Sequence, residues 1–462
     1  MKSSPGSLRV VKFVAACVLA LLAFAPAAAQ LPRLDSYSEP PEVAIEAAKL
    51  DGTPFELDSA ATQQAVASFS EAVSGARIHD CVFDITTDVP YLYKVMGTPT
   101  HDLFLERYAN VFGELGLPTA LHRFEEGGPG IGVTLPTGGT NILGVLPGRD
   151  TSKWVVLGGH YDTRELTVGG GALDNVSGIC TVLEIARQAK SFVDAGGQLE
   201  ASLVFAWYDG EEWGLYGAVA FAADTSVAKS LLGLPADAEV DILVSQSYDM
   251  PGLNWPAKDV WPQYGETADL DEPAALNLRT APIHVEEEWA CFSQGCYNEL
   301  KARLDFNALL RNFTNYQFLV REAAYDLYGC PPAYCWVYDD YYGRSDHIPL
   351  IGLGSAGNRI QGAHDEEYPH YHQPTDTLPA LYQLAGSQEL LTAGYDTEAS
   401  IGGAVAFYVA LTGGVGSYGY VFDPALLPIV LGKDDVPSKG TPLPALALAA
   451  VAFAAVLSRR KP

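Results

Sequence analysis

The chain has 462 residues, of which 48% are hydrophobic and 18% charged. That is enough apolar material for a large core and too much for wholesale disorder. A formal net charge of −28 leaves nothing to neutralise phosphates in bulk, which argues against a nucleic-acid partner and against docking on an anionic lipid surface.

Residues 1–29 read as a secretory signal: Lys2, Arg9 and Lys12 precede the apolar run "FVAACVLALLAFA", and "APAAAQ" offers small residues for cleavage after Ala29. Residues 30–95, rich in Pro, Ala and acids, show no sustained pattern and read as an N-terminal extension packed on the domain. The catalytic domain is expected over 96–432. It opens with the helical spacing of "HDLFLERYANVFGELG". Three strand-like runs follow, "NILGVLPG", "KWVVLGGHYD" and "ASLVFAWYDG", with the helical "NVSGICTVLEIARQAKSF" between the last two. Strand–helix–strand order implies a mixed sheet with helices on both faces. "EVDILVSQSYDM" adds a strand ending at Asp249. Residues 257–335 read as irregular, aromatic loops around a cleft, and residues near 378–412 as helix. Residues 433–442 read as a linker. Residues 443–462, an Ala-rich apolar run ending in Arg459, Arg460 and Lys461, read as a C-terminal membrane anchor or sorting signal. The expected location is therefore extracytoplasmic, secreted or held at the cell surface by that segment. Seven cysteines are present. Cys291/Cys296 and Cys330/Cys335 are each close enough in sequence to staple a loop, and Cys180, in an apolar helix, reads as a free buried thiol.

The chemistry gathers at strand ends, where open α/β sheets place their ligands. His160 closes "WVVLGGH", Glu211 and Glu212 follow "LVFAWYDG", and Asp249 closes "ILVSQSY". Asp174 precedes a helix, and His372 lies in "PHYHQPTDT". Each has an ordinary reading alone, as a polar pair, a helix cap or a solvated turn. Together, two histidines and several carboxylates on separated elements suit a borderline cation such as zinc.

The set "GGHYDTR", "GALDNVSGICTVLEIAR", "VFAWYDGEEWGLYGA", "SYDMPG", "GRSDHIPL" and "YHQPTDT" resembles the secreted co-catalytic zinc exopeptidases of metallopeptidase family 28. The resemblance covers roughly residues 100–412. It implies an α/β three-layer sandwich around a mixed, mostly parallel sheet of eight strands, the phosphorylase/hydrolase-like zinc exopeptidase fold. It also implies two Zn2+ ions per chain: His160 and Asp249 on one, Glu212 and His372 on the other, Asp174 bridging. Glu211 would be the general base, Asp162 would orient the His160 ring, and Tyr371 would bond the tetrahedral intermediate. The expected substrates are peptides with a free N-terminus, cut by an aminopeptidase. A glutaminyl cyclase, a carboxypeptidase or dipeptidase, and a non-catalytic surface binding module on the same fold stay open as alternatives, as do cobalt or manganese as the metal. Asp346 and His347 read as loop-fixing or cleft-wall residues, Arg344 as a substrate contact or surface ion pair, and Glu184 as structural. Asn312 opens a glycosylation sequon, and Asn175, inside the expected site, is expected to be unmodified.

Overall fold

The computed structural model describes residues 59–87, 92–125, 138–164, 167–253, 275–280, 334–339, 345–351, 353, 355–362 and 368–414. The signal segment, the linker, the C-terminal apolar run, Cys291, Cys296, Cys330, Asn312 and Arg344 lie outside the described residues. Among the described residues no helix is long and apolar enough to cross a membrane.

Eight strands form one sheet: β1 (Thr119–Phe124), β2 (Gly139–Leu146), β3 (Asp150–His160), β4 (Ala201–Tyr208), β5 (Asp241–Tyr248), β6 (Ala275–Thr280), β7 (Tyr334–Asp339) and β8 (Ala356–Gln361). Their order is β1-β2-β4-β3-β5-β8-β6-β7. The central block β4-β3-β5-β8 is parallel throughout, and antiparallel pairs flank it at β1-β2, β2-β4 and β6-β8. β3 is the switch point. The chain leaves it through helix α4 (Ser177–Asp194) to β4 on one side, then returns to β5 on the other. Crevices at such a point open at the carboxyl ends of the strands.

Alternation along the strands separates two cores, one on each face. Val155, Leu157, Leu203, Phe205 and Val244 point into the larger, with α4 and the long helix α9 (Gln388–Thr412). Trp154, Val156, Val204, Ala206 and Ile242 point into the smaller, with α5 (Tyr216–Ala223) and α6 (Ser226–Leu231). The result is the expected three-layer α/β sandwich. β2 and β4 are buried along their whole length, which is why they read as continuous apolar runs.

Three features depart from the sequence reading. The stretch that lacked a pattern holds two helices, α1 (Ala60–Ala72) and α2 (Gly75–Thr87). Val66 and Phe69 of α1, and Ile78, Val82 and Ile85 of α2, enter the larger core. Their apolar stripes are only two or three residues long, too short to stand out among Ala, Ser and Thr. Within 257–335, read as irregular, lies β6 (ALNLRT), whose period-two alternation is brief and whose flanks carry no strand signal. Cys180 is not a free thiol: it is disulfide-bonded to Cys81, joining α2 to the first turn of α4. A partner 99 residues away cannot be read from local spacing. The remaining helices that bear on the site are α3 (Pro99–Tyr108), α7 (Ile348–Ile351) and α8 (Leu378–Ala385).

Candidate metal centre

His160 is the last residue of β3, Glu211 and Glu212 follow β4 in a turn, and Asp249 follows β5. Parallel pairing of β3 with both neighbours brings those three strand ends together. Asp174 arrives from a glycine-led turn. Gly170 and Gly171 have φ of +107° and +60°, open to glycine and costly for other residues, and they turn the chain into α4. His372 comes from the turn preceding α8, with φ of +55°. That value is sparsely populated for a side-chain-bearing residue and persists where surrounding contacts impose it.

The five expected ligands converge in two groups that share one residue. His160, Asp174 and Asp249 form the first, and Asp174, Glu212 and His372 the second, each with its candidate donor atoms within 4.8 Å of one another. Asp174 presents one oxygen to each group. Its Oδ1 lies 3.3 Å from His160 Nε2, and its Oδ2 lies 3.2 Å from His372 Nε2. His160 Nε2 is 3.6 Å from Asp249 Oδ1, and His372 Nε2 is 3.0 Å from Glu212 Oε2. Glu211 Oε2 stands 3.9 Å from His160 Nε2, with its side chain 16% exposed, so it borders the first group on the open side.

Supports behind these residues are specific. The Asp162 carboxylate accepts the backbone N–H of Glu211 at 3.1 Å and of Glu212 at 3.3 Å, which fixes the glutamate turn to the end of β3. The same carboxylate lies 3.5 Å from His160 Nδ1, facing the ring as expected. Asp376 accepts the N–H of Leu173 and of Asp174, and the hydroxyl of Tyr368. It thereby links the His372 turn to the Asp174 turn. The Tyr371 ring lies against the His372 imidazole, centroids 3.7 Å apart. Asn175 is fully buried and both ends of its amide are engaged, with Tyr248 O, Gly178 N and Met250 N. That leaves no room for a glycan.

The electrostatics call for cations. Burial alone would lower His160, but Glu211, Asp162, Asp174 and Asp249 outweigh it and hold the ring well above its ordinary value. Burial opposes the proton on His372 too, and Asp174 and Glu212 raise it to about 10. Burial pushes Glu212 up to about 7, aided by Asp174 and opposed by His372. Burial also lifts Glu211 well above the ordinary carboxylate value; His160 opposes it, while Asp249 and Glu212 add to it. Carboxylates at this density are stable only with positive charge among them, which protons or metal ions supply. Glu212 Oε1 is buried without a hydrogen-bond partner among the described residues. Nitrogen and oxygen donors in two small groups around a shared carboxylate fit zinc or a similar divalent ion.

Residues 141–274 match peptidase family M28. Over that stretch the chain is similar to the family. The match to M28 takes in His160, Asp162, Asp174, Glu211, Glu212 and Asp249, while Tyr371 and His372 come from further along the chain. Leucine aminopeptidase 1 of Leptosphaeria maculans is 28% identical over 158 residues, 32% of this chain and 34% of the relative. A probable zinc metalloprotease of Pyrenophora tritici-repentis is 33% identical over 248 residues, 52% and 50% of the two chains. This chain thus spans between a third and a half of the length of those relatives. The aminopeptidase LapA of Legionella pneumophila has the same fold, with a TM-score of 0.50 at 15% identity over 77% of each chain.

Four more residues border the site: Arg164, Asp346 and His347 lie in motifs quoted from the sequence, while Arg359 carried no signal there. Arg359, on β8, places Nη1 3.4 Å from Asp249 Oδ2. Arg164 places Nε 3.0 Å from Glu212 Oε2 with its side chain 47% exposed. Asp346 is fully buried, and among the described residues neither of its carboxylate oxygens has a hydrogen-bond partner. Burial raises it well above the ordinary value; His160 opposes this, while Asp249, Asp162 and Glu212 add to it. It is an acid near the cage. His347 is buried beside it, and its backbone oxygen accepts from Ser245.

Proposed function

We propose that this chain is a zinc-dependent exopeptidase, an aminopeptidase that hydrolyses N-terminal peptide bonds outside the cytoplasm. The observation that carries the reading is the pair of donor groups sharing Asp174, with Glu211 at their open edge. His160 and Asp249 would hold one zinc, Glu212 and His372 the second, and Asp174 would bridge them. When bound there, zinc would supply Lewis acidity and make a water acidic enough to give up a proton near neutral pH.

The chain's own residues do the rest. Glu211 takes the proton of the attacking water and returns it to the leaving amine. A carboxyl lifted by burial suits both halves of that transfer, because it holds a proton more tightly than an exposed glutamate does. Asp162 keeps Glu211 and Glu212 apart in role by pinning both backbone N–H groups, so that adjacent side chains diverge. Tyr371, fixed against His372, offers its hydroxyl to the developing oxyanion. The surplus of acids seats the substrate's free α-ammonium group. The Cys81–Cys180 disulfide fits an oxidising compartment. We extend this to a secreted or surface-anchored protein with residues 443–462 as the anchor.

The test is zinc content by elemental analysis, with two ions per chain expected, together with hydrolysis of an aminoacyl-anilide series before and after chelation. Zinc-free protein with undiminished hydrolysis would end the proposal. Cyclisation of N-terminal glutamine without bond cleavage in the same series would favour the cyclase.

A further inference from the structure

Lys94 lies upstream of the family match, in the segment between α2 and α3, and is fully buried. Its Nζ donates to Gly170 O at 2.5 Å, its one hydrogen-bonded acceptor among the described residues, and sits 5.9 Å from the centre of the Phe104 ring. The backbone of Lys94 is clasped to the residue after Asp162. Lys94 N–H donates to Thr163 Oγ1 at 3.2 Å, and Thr163 N–H donates to Lys94 O at 3.3 Å. One residue thus grips both turns that feed the cage: the end of β3, which carries His160 and Asp162, and the Gly170–Gly171 turn, which leads to Asp174. Thr86 and Leu92, from the same upstream part of the chain, close on Gly170 from outside. A buried ammonium is costly unless it is compensated. Burial pulls Lys94 down to about 8, with Asp376, Asp162 and Asp174 holding it up, so it is mostly charged at neutral pH.

We propose that Lys94 is a positioning residue of the metal centre, holding Gly170 and Thr163 so that Asp174 and His160 face one another at metal-binding distance. This rests on the zinc reading given above. Geometry and charge make opposite claims here, which sharpens the test. A cation near a cation site repels the incoming ion, so if Lys94 mattered only through its charge, removing it would tighten zinc binding. If it holds the two turns, removing it loosens the cage. Groups that orient metal ligands are typically worth 10–100-fold in affinity.

The experiment is zinc affinity of the full chain by competition with a chromophoric chelator, for wild type, Lys94→Met and Lys94→Arg, alongside the melting temperature of each metal-free protein. Positioning predicts a loss of at least about tenfold for Lys94→Met and a smaller loss for Lys94→Arg, which keeps the charge but not the reach. Unchanged or tighter binding by Lys94→Met overturns the assignment, whatever happens to its melting temperature. If Lys94→Met does not fold, Lys94→Arg decides: wild-type affinity there overturns it. Wild type that binds no zinc would instead sink the metal reading itself.

Discussion

At the scale of single residues, the division of labour between two adjacent glutamates is the sharpest claim. Glu212 touches His372 at 3.0 Å, whereas Glu211 reaches only 3.9 Å from His160 and keeps partial exposure. One belongs to the cage and the other to the opening. Glu211→Gln keeps the shape and the backbone N–H held by Asp162 but cannot take a proton. We expect turnover to fall by about 10²- to 10⁴-fold with the zinc content of wild type, read by steady-state kinetics and elemental analysis on one sample. Turnover near wild type would remove Glu211 from its role. The proposed ligands were legible because His160, Asp249 and the glutamate pair follow strand-like runs, Asp174 precedes a helix, and His372 lies in a motif of its own. Lys94 and Arg359 were not, because what marks them is a contact distant in sequence: Lys94 meets Gly170 across 76 positions, and Arg359 meets Asp249 across 110. No local pattern encodes either.

At the scale of elements, two helices hold the cage from outside it. Cys180 opens α4 directly behind Asp174, and its bond to Cys81 clamps that helix to α2. Replacing both cysteines by alanine should cost about 2–5 kcal/mol of stability, read by denaturant unfolding under non-reducing conditions; an unchanged midpoint would show that the clamp is dispensable. On α9, Glu398 is buried and accepts Gly252 N–H, steadying the segment that follows Asp249. Burial pushes its carboxyl up to about 8. Its folded value lies above its unfolded one, so its contribution is whole below about pH 4.5 and is lost as pH rises through about 8. Glu398→Gln should therefore flatten the fall in melting temperature across that interval and leave the acid side alone. A parallel curve would refute the assignment. β3 and β4 were plain in sequence because burial on both faces gives them long apolar runs; β8 (AGNRIQ), parallel to β5, was not, because polar residues interrupt it. α1 and α2 were not, because their few core contacts lie among small residues whose placement depends on α9, more than 300 positions away.

At the scale of the whole molecule, the two ends of the described chain meet. Phe69 of α1 stacks on Phe407 of α9 at 4.4 Å, and Gly75 N–H at the start of α2 donates to Asp396 of α9 at 2.9 Å. Arg77 of α2 donates to Glu184 of α4 at 2.6 Å, giving that buried glutamate the structural duty expected of it. A catalytic domain drawn from residue 96, as composition suggested, would discard all of this together with Cys81 and Lys94. The face of α9 that carries Phe407 would then lose Phe69, Cys180 would be an unpaired thiol, and buried Glu184 would lose its 2.6 Å contact with Arg77, keeping Arg187 at 3.5 Å. Those losses together rival the whole stability of a domain. A chain beginning at residue 96 should therefore lack a cooperative thermal transition and near-ultraviolet circular dichroism, where one beginning at residue 59 keeps both. Cooperative melting of the shorter chain within a few degrees of the longer would show that the N-terminal helices decorate the sandwich instead of completing it.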